Sequence, residues 1–69
     1  MITKQMIDIL ELIKEDPTIT NYAMAEKLKI SRFRCRDVIR EMKLLGLITS
    51  EQTTVNGRFR RNMKVLREV

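Results

Sequence analysis

Seven of the eight arginines fall into two short stretches, and their side chains set the chemistry this chain can perform. Arg32, Arg34, Arg36 and Arg40 lie in the first stretch, and Arg58, Arg60 and Arg61 in the second. A guanidinium is permanently charged and presents a planar fork of donors that matches a phosphate or the O6/N7 edge of guanine. Catalytic equipment is poorly supported. The chain has no histidine, no glycine-rich phosphate loop, and no base placed to activate Ser31 or Ser50. Asp8 and Glu11 share a helix face and can hold a metal only weakly, so a solvated face is the favoured reading. No enzyme activity and no cofactor are expected.

The first arginine group sits in LKISRFRCRDVIREMKLLGLI, Leu28 to Ile48. The run reads as the end of one helix, the turn Lys29–Ile30–Ser31, a helix over Arg32 to Leu45, and an exit into a strand. Ser31 is a helix N-cap type, and Gly46 suits a left-handed terminator. At about 100° per residue, Val38, Ile39 and Met42 lie within about 60° of Cys35, forming an inner face. Phe33, Asp37, Arg40 and Leu44 lie opposite, and Arg36 at the border. A helix locked by one apolar face and cationic on the other suits entry into a DNA major groove.

Beyond Gly46 the apolar period changes from about 3.6 to 2. Asn56–Gly57 is the strongest short signal for a two-residue hairpin turn. Centring it there pairs Val55 with Arg58, Thr54 with Phe59, Gln52 with Arg61, Ser50 with Met63 and Ile48 with Val65. One hairpin face then carries Ile48, Phe59, Met63 and Val65 for packing on the helices, and the other Arg58, Arg60, Asn62 and Lys64.

Upstream, Thr3 caps a helix over Lys4 to Glu15, which Asp16–Pro17 stops. Ile2, Met6, Ile9, Leu10 and Ile13 form its core stripe, flanked by Ile7 and Leu12. That flank is either deeper core or a contact with a second chain. Thr18–Ile19–Thr20 favours extended backbone and can lend a small strand to the hairpin. Thr20 caps a helix over Asn21 to Leu28.

Sixty-nine residues imply one domain over 1–69. A chain this short buries only about 60% of its unfolded surface, so either the core is unusually well packed or a partner chain covers part of it; with Ile7 and Leu12 off the stripe, a homodimer is expected. The net charge of +5 is uneven. Residues 1–30 hold four lysines against five acids, giving −1; residues 31–69 hold ten cations against four acids, giving +6. Nine of those ten lie at 32–43 and 58–64, the footprint of a surface for a polyanion. The one cysteine excludes an internal disulfide and, without histidine, a zinc set; Cys35 reads as a small buried hydrophobe. No apolar stretch approaches the roughly 20 residues that span a bilayer. A cytoplasmic, nucleoid-associated location is expected.

The run from Leu28 to Ile48 resembles the winged helix-turn-helix family, in which an aliphatic–Gly–Ile–Ser turn opens the recognition helix and Gly–Leu–Ile closes it. Leu28, Ile30, Ser31, Cys35, Ile39, Met42, Gly46, Leu47 and Ile48 match in type and spacing. Lys29 stands where glycine is common, Phe33 where a small polar residue is usual, and Asp37 where a base reader is usual. The resemblance implies an α+β fold of three helices followed by a two-stranded wing. It implies double-stranded DNA as partner, with no small-molecule ligand domain. Helix 32–45 would enter the major groove and the wing at 55–61 would meet the minor groove or backbone.

The expected contact set is then Ser31, Arg32, Phe33, Arg34, Arg36, Asp37, Arg40 and Lys43 on the helix. The wing adds Asn56, Gly57, Arg58, Arg60 and Arg61. Asp37 either accepts from a cytosine amino group or orients Arg34 or Arg40; Phe33 either touches a thymine methyl or staples helix 2. A small transcriptional regulator is the leading expectation. A phage or plasmid replication or recombination accessory, or a protein-interaction module, is the alternative.

Overall fold

The computed structural model describes residues 1–67. Three helices, α1 (Lys4–Glu15), α2 (Asn21–Leu28) and α3 (Arg32–Leu44), precede β1 (Ile48–Val55) and β2 (Arg58–Val65). The class is α+β, and among the described residues no helix is long and apolar enough to cross a membrane.

Each helix begins at a hydroxyl that satisfies an otherwise orphaned amide. The Met6 amide donates to Thr3 Oγ1 at 3.2 Å, Ala23 to Thr20 Oγ1 at 3.0 Å, and Arg34 to Ser31 Oγ at 3.0 Å. Two of the helices end in the same way. After α3, Gly46 turns left-handed at φ 75°, the Gly46 amide reaches Lys43 O and the Leu47 amide reaches Met42 O. After α2, Lys29 adopts φ 58°, its amide reaches Glu26 O and the Ile30 amide reaches Ala25 O. This paired 5→2 and 6→1 closure is the Schellman motif. Lys29 therefore keeps the backbone angle that glycine holds more cheaply.

The inner stripes meet in one core. Met6, Ile9, Leu10 and Ile13 of α1, Met24 and Ala25 of α2, and Cys35, Val38, Ile39 and Met42 of α3 are buried there. Ile19, Leu47, Ile48 and Met63 close it from the loops and strands. Four methionines in the core supply flexible thioethers that fill irregular gaps between short elements.

The hairpin register is the one the sequence implies, from Ile48 opposite Val65 to Val55 opposite Arg58. Asn56 (φ 51°) and Gly57 (φ 78°) both take the positive φ that a type I′ turn demands.

Four expectations are corrected. Ile2 is exposed, because it precedes the Thr3 cap and lies off the helix. Helix α3 stops at Leu44, since Leu45 is already the cap of the Gly46 turn. Thr18–Thr20 forms no strand; a backbone bond, Met63 amide to Pro17 O at 2.8 Å, and a side-chain bond from Arg61 to Ile19 O tie that loop to β2. Phe59 is 75% exposed, because the outer half of the hairpin extends beyond the helices that bury Met63 and Ile48.

Candidate nucleic-acid interface

Helix α3 is positioned chiefly by its apolar side. Cys35 and Met42 are fully buried and Val38 and Ile39 nearly so, fixing which face turns outward. Ser31, Arg32, Phe33, Arg34, Arg36, Asp37, Arg40 and Lys43 are all exposed. No buried charged side chain anchors the helix among the described residues.

The arginines of α3 are held differently. Arg32 lies over the Tyr22 ring at 5.7 Å, and Arg36 over the Phe33 ring at 5.5 Å. Such stacking orients a guanidinium while leaving its donor edge open. Asp37 Oδ1 lies 3.6 Å from Arg36, its chain neighbour. The pairing with Arg34 or Arg40 is not seen; the outward carboxylate turns to its neighbour Arg36 instead. Arg34 Nε donates instead to Gln5 Oε1 of α1 at 3.1 Å. Arg40 and Lys43 project into solvent farther along α3. Phe33 is 69% exposed, so its ring is presented outward rather than stapled beneath α2.

On the hairpin, Asn56, Gly57, Arg58 and Arg60 are exposed. Arg61 is different in kind. It points to the helix side of the sheet, where its guanidinium donates to Asn21 Oδ1 at 2.5 Å and to Ile19 O at 3.4 Å. Burial lowers the pKa of Arg61 below the ordinary arginine value, with an opposing raising effect from Cys35. Burial likewise pushes the Cys35 thiol up, with the Arg61 charge pulling the other way. This half-buried arginine is a strut between β2 and the start of α2.

A hollow of about 580 Å3 opens beside that strut, lined by residues 18–21 and 58–61. A second, of about 400 Å3, lies along the start of α3 and is lined by Asn21, Tyr22, Arg32, Phe33 and Arg36. Asn21, Tyr22 and Phe59 were not among the sequence candidates. Tyr22 had a usable signal: it falls away from the Met24–Leu28 side of α2. Asn21 had none, since its partner is 40 positions away.

Asp8 and Glu11 of α1 are engaged on the surface, Asp8 with Lys4 Nζ at 3.4 Å and Glu11 with Lys14 Nζ at 4.0 Å.

A family model described as winged helix-turn-helix DNA-binding matches residues 2–49, which span all three helices and the start of β1. No curated protein and no solved structure matches the chain. With the capped helix pair, the outward arginine face and the hairpin that follows, the chain belongs to the winged helix-turn-helix DNA-binding family.

Proposed function

We propose that the protein is a non-catalytic, sequence-specific double-stranded DNA-binding regulator of transcription, acting as a cytoplasmic, nucleoid-associated homodimer. The observation that carries this reading is the division of α3 into a buried face of Cys35, Val38, Ile39 and Met42 and an exposed face bearing four arginines. Arg36 and Arg40 read base edges in the major groove, with Phe33 placed for thymine methyls and Asp37 holding Arg36 in its fork orientation. Ser31, Arg32, Arg34 and Lys43 engage the backbone and fix register. Asn56 and Gly57 make the hairpin tip slim enough for a minor groove, where Arg58 meets the negative potential. Arg60 adds a phosphate contact, and Arg61 sets the angle of the wing.

Selection of bound sequences from a random duplex pool, followed by titration of the selected and scrambled sites across salt, tests the proposal. If each half-site engages about 4–5 phosphates, the log–log slope for a dimer is roughly −7 to −9. Equal affinity for selected and scrambled DNA favours the replication or recombination accessory. No binding at low salt favours the protein-interaction module.

A further inference from the structure

All three aromatic residues of this chain lie outside the core. The sequence has one tyrosine, two phenylalanines and no tryptophan. Tyr22 is 61% exposed, Phe33 69% and Phe59 75%, whereas the core is built of aliphatic, methionine and cysteine side chains. An aromatic ring is the largest apolar group a small core can recruit, and one exposed ring is commonplace. Three of three, each beside arginine, is not a random scatter. Arg32 covers Tyr22, Arg36 covers Phe33, and Phe59 lines one hollow with Arg58, Arg60 and Arg61. That hollow and the one holding Tyr22 and Phe33 share Asn21, so the rings and guanidinium groups form one continuous track.

We propose that this track binds unpaired bases of a single nucleic-acid strand, with Tyr22, Phe33 and Phe59 as stacking platforms and Arg32, Arg58 and Arg60 pairing with the phosphates. The chemistry fits one ligand class. In intact B-form DNA the faces of the bases are occupied by their neighbours, so only edges and methyls remain to be touched. A ring that is mostly exposed offers a flat face, which an unstacked base satisfies and a duplex does not. Guanidinium groups alternating with rings then follow a backbone whose bases point at the rings. The inference shares the arginine face with the proposed duplex reading, and adds to it a preference for sites where the strands separate. The track reads stacking and phosphate only, so a deoxyribose and a ribose strand are both admissible ligands.

The test uses the full chain with fluorescein-labelled oligothymidylate and oligouridylate of about 12 nucleotides, a length within the range one small domain covers. A fully paired duplex serves as a separate arm. Tyr22 gives a direct optical signal, because no tryptophan and no other tyrosine contributes emission. Its fluorescence should be quenched on binding oligothymidylate and much less on binding duplex. Phe59→Leu and Tyr22→Leu keep an apolar side chain but remove the ring. Each should weaken single-strand binding by at least about fivefold while duplex affinity stays within about twofold. Circular dichroism of each variant verifies the fold. An unquenched Tyr22 together with unchanged single-strand affinity in both variants overturns the proposal. Equal losses on single strand and duplex overturn it too, since the rings then serve the fold. If the unsubstituted chain binds oligothymidylate with Tyr22 quenching but binds no duplex, the duplex reading falls and this one stands. Comparison of the oligothymidylate and oligouridylate affinities identifies the sugar.

Discussion

Arg61 on β2 donates to the side-chain oxygen of Asn21, the first residue of α2, across 40 positions of sequence. A charged hydrogen bond of this kind, partly withdrawn from water, joins the wing to the helix pair. Replacing Arg61 by alanine should lower stability by about 1–3 kcal/mol. Replacing Asn21 should lose less, and a double-mutant cycle should return a coupling of at least about 0.5 kcal/mol. The salt slope on DNA should change by far less than the roughly one unit that a lost phosphate contact removes. A full unit lost in Arg61→Ala would make it a backbone contact rather than a strut.

Reading and holding should separate on α3 and the wing. Arg36→Ala or Arg40→Ala should cost about 1–3 kcal/mol on the selected site and much less on scrambled DNA. Arg60→Ala should weaken both DNAs similarly and reduce the slope by about one. Equal losses on both DNAs for Arg36→Ala would remove α3 as the reader.

Lys29 holds φ 58° without the freedom of glycine. Relieving the Cβ strain outweighs the added entropy of the unfolded chain at such a position. Lys29→Gly should raise stability by about 0.5–1 kcal/mol and the unfolding midpoint by several degrees, read by thermal denaturation. A lowered midpoint would mean that the lysine side chain contributes more than the backbone angle takes away.

Cys35 is fully buried, and its thiol is held above its ordinary value of 9.0. A raised folded-state value means that the unfolded chain releases the proton first. The contribution is therefore fully present below about pH 9 and is lost as pH rises toward the folded-state value. Urea midpoints should be insensitive to this group at neutral pH and fall above about pH 9, and Cys35→Ser should flatten that alkaline limb. The native thiol should react with a thiol reagent only at the rate of opening.

Assembly should involve apolar surface the monomer leaves uncovered. Ile7 is 41% exposed on α1 and Leu44 is 82% exposed at the end of α3, whereas Leu12 packs against the core. Sedimentation at tens of micromolar should give twice the 8.2 kDa chain mass, and Ile7→Glu should return the monomer. Dimer retained in Ile7→Glu but lost in Leu44→Glu would move the interface to α3.

What the sequence made legible was local. Caps at Thr3, Thr20 and Ser31, the stop at Asp16–Pro17 and the Asn56–Gly57 turn each depend on residues within four positions, and each formed where expected. The hairpin register followed, because one turn and one apolar face determine it. What failed depended on reach. Nothing near Phe59 says that the helices end before it, so a correct face still gave a wrong burial. The strut from Arg61 to Asn21 and the link from Arg34 to Gln5 join distant segments, and alternation alone places neither. Asp37 was near enough for a local argument, but helix spacing pointed one turn away while its neighbour Arg36 was closer.

The hairpin is the whole sheet, with no third strand along either side among the described residues. Unpaired backbone along a strand is a template for addition of another chain, and proteins guard such margins with charge. Here Arg58, Arg60 and Lys64 on β2 and Glu51 on β1 stand guard, and Lys64 and Glu51 reach across to each other at 3.3 Å. The cations proposed to draw DNA to the wing would also keep one wing from zipping onto another. Stripping them to weaken nucleic-acid binding should leave a chain prone to self-aggregation, and a polyanion that covers them also covers the edge they protect.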